Sequence, residues 1–571
     1  MKSRLGFIFS ILACLVLAGA AYQGAIGGID SLYAFRSPLK DQPPAPLAPA
    51  APGLTRRVVF VLVDALRADT AWNPEVMPFL NGLKEKGAYA TMHSRPPSYS
   101  EAGYSVLLTG AWPDLSDGPA MNLDYAEIPT WTQDNLFSAA HRSGLQTAVS
   151  GFYWFEKLIP QVDVSTSFYT SGEDRHADED VLAAALPWLQ QPNLNLVLIH
   201  LDQVDYAGHH EGGPRDPNWD AAAKRVDGML AEIAGSLDFS QDTLFICSDH
   251  GQIDAGGHGG NEAVVLTEPF VLVGKGVQPG SYPAVSMTDV SPTLAALLGV
   301  NLPASNEGRV LADMLDASPE WKASWNSANL SQQNTLLQRY AEAIGSTTHL
   351  ETSGTSKDGS AGDSHPLQTL EGLRNSRLSA ERQGHLFPVA GFTLFLFAVI
   401  GFLLYLLGLW QPRGLFWSFA GGLTYLVVFN LRYAVLDGHM YSLSSVVGDT
   451  ELIVYVLTTS LLGLLAGFLV ALFGSRAWRS SPKQAVGQAF GVVFITLACL
   501  ILPVAWSSYL NGFTAAWTLP DFSSWFLGFL SEVQILMVAG LGLVLAGLTA
   551  LFVWAGRRLR KSEPDSATQI L

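Results

Sequence analysis

Thr243-Leu244-Phe245-Ile246-Cys247-Ser248-Asp249-His250-Gly251 is an unbroken apolar run that stops at a hydroxyl, an acid and an imidazole. Two other stretches repeat the pattern: Val58–Val63 ends in Asp64, and Leu194–Leu201 runs into Asp202-Gln203-Val204-Asp205-Tyr206-Ala207-Gly208-His209. Strands that are apolar on both faces belong inside a sheet covered on both sides, the usual setting of parallel strands. Thr147–Ser150 and Phe270–Val273 read as further strands. Helix-like periods fall between the strands at Met77–Lys86, Gly103–Leu108, Trp131–Arg142, Asp180–Leu189 and Asp220–Leu237. This alternation predicts an α/β fold, a doubly wound and mainly parallel sheet with helices on both faces. In such sheets functional groups gather beyond the carboxyl ends of the strands, which is where Asp64, Asp205 and Asp249 fall.

Outside this domain the chain changes character. Its 571 residues are 49% hydrophobic and 15% charged, too apolar for a purely soluble protein and too long for one domain. A net charge of −17 argues against nucleic acid as a partner, which would demand a basic face. Of the three cysteines, Cys14 and Cys499 sit in apolar segments and Cys247 in an expected buried strand, so no disulfide framework is expected. Met1-Lys2-Ser3-Arg4 precedes an apolar run from Leu5 to Ala21, which reads as a signal anchor. Ala18-Gly19-Ala20 leaves cleavage open, and on either reading the following domain is exported.

Apolar spans of roughly 20 residues, enough to cross a bilayer, recur near 387–410, 415–436, 451–473, 485–507 and 531–555. Arg413, then Arg476, Arg479 and Lys483, then Arg557, Arg558, Arg560 and Lys561 all fall on one side of these spans. The opposite connections, near 437–450 and 508–530, carry almost no Lys or Arg. That bias places both termini in the cytoplasm and the large domain outside, with a prokaryotic cell membrane favoured and the lumen of the endoplasmic reticulum the eukaryotic equivalent. The expected organisation is therefore an anchor (1–30), a Pro/Ala-rich linker (31–55), an exported domain (56–315), a polar helical segment and flexible linker (316–385), a bundle of about five membrane helices (386–556) and a cytoplasmic tail (557–571).

The polar strand ends supply three carboxylates and three imidazoles suited to metal ions. Asp205 and His209, four apart, share one face of a helical turn. His258 follows Gly256-Gly257, which lets a loop bend back, and joins them in one site. Asp249 and His250 reach a second ion with Asp64. Mixed imidazole and carboxylate ligands suit Zn²⁺ best, with Mn²⁺ the alternative. Two ions about 4 Å apart clamp the attacking and leaving oxygens of an in-line phosphoryl transfer. Ser100, in Arg95-Pro96-Pro97-Ser98-Tyr99-Ser100-Glu101, stands at an expected helix start, where free backbone N–H groups seat a phosphate. It is the candidate nucleophile, with Ser98 as its rival and a phosphoseryl intermediate as the product of attack.

These motifs resemble the alkaline phosphatase superfamily, and within it the glycosylphosphatidylinositol (GPI) ethanolamine phosphate transferases and the type I phosphodiesterases/nucleotide pyrophosphatases. The resemblance covers residues 56–305 and is carried by Phe60–Arg67, Arg95-Pro96-Pro97 with Ser100, Leu108-Thr109-Gly110, Asn122, Asp134-Asn135-Leu136, Val204–His209, Ser248–Gly251, Gly257–Gly260 and Thr288–Leu294. It implies that Asp64, Ser100, Asp249 and His250 hold one zinc, that Asp205, His209 and His258 hold the other, and that Asn122 contacts substrate phosphate. It also implies an alkaline-phosphatase-like fold and a phospholipid or glycolipid substrate at the bilayer. The chain departs from the transferases at Ser100, where they usually have threonine, and at Gln203, where they usually have glycine. Two readings follow: transfer of a phosphoethanolamine-type group to a membrane (glyco)lipid, or hydrolysis of soluble or lipid phosphodiesters.

Overall fold

The computed structural model describes residues 2–346, 366–446, 448–479 and 481–561. The low-complexity run 352–363 and most of the expected cytoplasmic tail lie outside the described residues. Two compact units form, one of residues 31–379 and 515–522, the other of residues 1–30, 380–514 and 523–571.

The first unit is built on a nine-stranded sheet: β1 (Arg57–Val63), β2 (Gly87–His93), β3 (Gln146–Phe152), β4 (Thr166–Thr170), β5 (Leu194–Leu201), β6 (Asp242–Cys247), β7 (Thr267–Gly274), β8 (Gly280–Ser281) and β9 (Val285–Ser286). The order is β4-β3-β5-β1-β6-β7-β2-β8, with β9 also on β2. All pairings are parallel except those of β7, which runs antiparallel to both β6 and β2. The five expected strands are present, each within a few residues of its expected bounds. β2 and β4 were not foreseen: β2 is Gly-Ala-Tyr-Ala-Thr-Met-His, poor in β-branched residues, and β4 is a short edge strand that stays half-exposed.

Alternation along β1 divides the core. Val58, Phe60 and Leu62 pack into one buried cluster and Val59, Val61 and Val63 into another, on the two faces of the sheet. The expected linker 31–55 begins with the end of the first helix, and the irregular rest is not free-standing. Leu39 is buried with Ala111 and Leu115, Leu54 packs against the main core, and the Leu47 N–H donates to Gln332 Oε1 at 2.9 Å. Residues 319–343 form one helix (Pro319–Ala343).

Among the described residues, six helices are long and apolar enough to cross a membrane: Arg4–Tyr33, Pro366–Leu406, Pro412–Leu436, Thr450–Ser475, Pro482–Asn511 and Phe522–Ala555. The second begins well before the expected 387, so the last part of the expected flexible linker is helical. The three cysteines are free thiols.

Candidate metal centre and nucleophile

Adjacency of β5, β1 and β6 brings their polar ends together. In register, Leu62 stands opposite His200 on one side and Cys247 on the other, so Asp64, Asp202 and Asp249 leave the sheet side by side. Immediately after Asp64 the chain reverses at Ala65, a non-glycine residue at φ 58°. Its backbone N–H then donates to Asp249 Oδ1 at 3.2 Å, a contact that helps hold this costly conformation.

His250 is the hub. Its Nε2 lies 3.5 Å from Asp64 Oδ1, 3.4 Å from Asp249 Oδ2 and 3.2 Å from Ser100 Oγ. Its ring stacks on His258 with centroids 4.0 Å apart. Asp205, on the short helix Gln203–His210, lies 3.5 Å from His209 Nε2 and 3.8 Å from His258 Nε2, and these two ring nitrogens face each other at 3.0 Å. Ligand atoms converge in two groups, Asp64/Asp249/His250 and Asp205/His250/His258. His250 thus stands between the two, and His209 closes the second from its partly exposed edge.

The donor set fits divalent cations on three counts. Asp64 Oδ1 and Asp249 Oδ2 are buried without any hydrogen-bond partner, which is costly for carboxylate oxygens unless a cation satisfies them. The outward ring nitrogens are held by backbone carbonyls, His250 Nδ1 on Gly251 O at 3.1 Å and His258 Nδ1 on Ser98 O at 3.0 Å, so that Nε2 of each faces the site. Protonation equilibria are displaced as crowding without a counter-charge requires. Burial, then repulsion from Asp64, pushes the Asp249 and Asp202 carboxyls well above their usual range. Burial, then the neighbouring His250, drives His258 well below the usual imidazole value. Burial opposes ionisation of Asp205 too, but the facing His209 and His258 win and hold its carboxyl below the usual range.

Ser100 is the first residue of the buried helix Ser100–Thr109. Gly103 lets this helix close on the end of β6: a Cβ there would stand 2.7 Å from Asp249 Cβ. The rival Ser98 is engaged in the loop, donating to Gly260 O and accepting from Gly259 N, both at 3.0 Å. Asn122 Oδ1 accepts the Glu101 N–H at 3.2 Å, which places Asn122 beside the helix start.

Two groups were missed from the sequence. His200, next to the last residue of β5, has its Nε2 3.0 Å from Asp64 Oδ2 and forms a third buried group with Asp64 and Asp202. Tyr104 OH donates to the same Asp64 oxygen and lies 3.0 Å from His200 Nε2. A histidine interrupting the apolar run Leu196–Leu201, one residue before its end, was the available signal.

Residues 58–310 match the family model for type I phosphodiesterase / nucleotide pyrophosphatase. The chain is similar to human GPI ethanolamine phosphate transferase 2, catalytic subunit, with 28% identity over 49% of this chain and 31% of that protein. It is also similar to GPI ethanolamine phosphate transferase 2 of Aspergillus fumigatus, with 25% identity over 72% of this chain and 54% of that one. It therefore spans from about a third to about half of these relatives. Among solved structures, human ectonucleotide pyrophosphatase / phosphodiesterase 5 aligns with a TM-score of 0.40 and 15% identity, over 46% of this chain and all of that one.

Proposed function

We propose that this chain is a membrane-anchored, metal-dependent transferase that moves an ethanolamine-phosphate-type group from a phospholipid to a membrane (glyco)lipid through a phosphoseryl intermediate on Ser100. The observation that carries the reading is the approach of Ser100 Oγ to His250 Nε2 at 3.2 Å, beside buried carboxylate oxygens that have no partner. The transferases among its relatives support the group transferred.

Asp64, Asp249, His250 and Ser100 would hold one divalent cation and Asp205, His209 and His258 the other, Zn²⁺ by donor type and Mn²⁺ as the alternative. Bound there, the ions would neutralise the phosphodiester and lower the pKa of the attacking oxygen. A phosphate would be seated by the free backbone N–H groups at the start of the helix Ser100–Thr109, with Asn122, which accepts the Glu101 N–H, beside that start. Ser100 Oγ loses its proton and bonds to phosphorus, and the donor's alcohol departs with a proton. An acceptor hydroxyl then attacks the same phosphorus and Ser100 regains its hydrogen. Membrane helices motivate a lipid donor, with the catalytic domain outside and both termini in the cytoplasm.

Hydrolysis is the second reading, favoured by the phosphodiesterase match. Both are tested with full-length protein in detergent, using headgroup-labelled phosphatidylethanolamine, a glycolipid acceptor and bis-p-nitrophenyl phosphate. Transfer predicts label on the acceptor lipid; hydrolysis predicts free ethanolamine phosphate and fast p-nitrophenol release. Ser100→Ala should lower either activity by at least about 10³-fold, and a variant that retains activity rules out the phosphoseryl route.

A further inference from the structure

One carboxylate in the membrane helices is unaccounted for. Glu532 lies in the helix Phe522–Lys561, a third of the way along its apolar span, and lines a cavity of about 140 Å³. That is several times the roughly 30 Å³ share of one water molecule. Gln23, Ser507 and Ser508 add polar groups to the wall, and Gly24 forms the floor beneath the Glu532 carboxylate, where a Cβ would collide with it.

Two buried amides of this unit find partners inside it. Gln534, two residues further on, accepts from Tyr425 OH at 3.2 Å, and Gln488 donates to Ser418 Oγ at 2.8 Å. No cationic or hydrogen-bonding partner of Glu532 occurs among the described residues. An acidic group inside an apolar helix, without an internal partner and facing a polar-walled cavity, is a candidate ligand site.

The cavity also has a definite level. It lies where the first helix, the helix Pro482–Asn511 and the start of the last helix meet, at the end of the unit where residues 30 and 514 leave it. Trp525 and the exposed Phe513 line it, and exposed Trp506 stands nearby in sequence. Tryptophan and other aromatics at helix ends mark the headgroup layer. A ligand there needs a positive charge for the carboxylate and N–H donors for the surrounding oxygens. A primary ammonium supplies both, with three donors; a quaternary ammonium supplies charge alone, and an anionic headgroup neither.

We infer that the Glu532 cavity binds the headgroup of a phospholipid carrying a primary ammonium. The binding claim stands without the catalytic reading; only the use of the lipid as donor rests on that reading. Full-length protein in detergent is titrated with phosphatidylethanolamine, phosphatidylcholine or phosphatidylglycerol of identical acyl chains, and bound lipid is counted by native mass spectrometry. Wild type should retain phosphatidylethanolamine at least about fivefold over the other two. Glu532→Gln should abolish that preference, as should Gly24→Leu, which fills the cavity from the opposite wall. Ser100→Ala should keep it, which separates failure of this inference from failure of the catalytic one. Absence of preference in wild type, or preference unchanged in a Glu532→Gln variant with wild-type thermal midpoint, overturns the inference. Displacement by equimolar free ethanolamine also overturns it, since the ligand would then be a soluble amine.

Discussion

At the residue scale, the two oxygens of Asp64 have different surroundings. Oδ1 faces His250, whereas Oδ2 accepts from Tyr104 OH and contacts His200. Burial, then the Asp64 charge, holds the Tyr104 phenol well above its ordinary pKa, so it remains a donor. Tyr104 is a positioning residue for Asp64. Tyr104→Phe should weaken divalent-metal binding about 10–100-fold, the range seen when groups supporting metal ligands are removed, as measured by competition with a chromogenic chelator. An unchanged affinity would make the hydrogen bond structurally idle. Glu101 offers a pH test. Burial pushes its carboxyl from the ordinary 4.5 up to about 8, against one opposing hydrogen bond from Leu123 N. The folded chain thus keeps a proton that the unfolded chain releases, and stability should fall as pH rises from about 4.5 to about 8. Glu101→Gln removes this titration, so its metal-free thermal midpoint should depend less on pH across that window than that of wild type. Equal slopes would contradict the assignment.

At the element scale, the decisive contact is between the helix Ser100–Thr109 and the end of β6. In an isolated helix, Gly→Ala is stabilising by about 1 kcal/mol. Here the added Cβ meets Asp249 Cβ and its carbonyl, so Gly103→Ala should push the helix off the strand and carry Ser100 with it. A displacement near 1 Å costs about 10²-fold in rate. Turnover should fall by that order while helix content by circular dichroism stays the same, and full activity in the variant would show that the contact does not set the position of Ser100. The Asp205-x-x-x-His209 pair belongs to this scale as well, since a helical turn alone places both groups, and it was legible at once. His258 was legible only as a residue after a flexible glycine pair; what aims it is the Ser98 carbonyl, 160 residues away in sequence.

At the scale of the whole molecule, the charge bias of the connections predicts sidedness. Met440 lies in the connection before the helix Asp449–Ser475 and Gln484 just after the basic connection that follows it; both are exposed. In cells, Met440→Cys should react with a membrane-impermeant maleimide added outside, and Gln484→Cys only after lysis. The reverse pattern would place the catalytic domain in the cytoplasm and remove the basis for an exported transferase. The native cysteines interfere little, since Cys14 and Cys247 are buried and Cys499 lies within an apolar helix.

What the sequence determined by itself is whatever depends on local order. Apolar runs ending in Asp64, Asp202 and Ser248-Asp249-His250 announced central strands with candidate ligands at their ends, and apolar spans of roughly 20 residues announced helices long enough to cross a membrane. Both signals are periodic or compositional, so they survive without knowledge of neighbours. Only the tertiary structure decided which strand ends adjoin, that His250 stands between two ligand groups, that Ser100 rather than Ser98 faces it, and that His200 and Tyr104 hold Asp64. Those facts come from register and packing between segments separated by tens to hundreds of residues. The same holds for Glu532: one acid in an apolar helix is visible in the sequence, but its lack of a partner is a property of every helix around it.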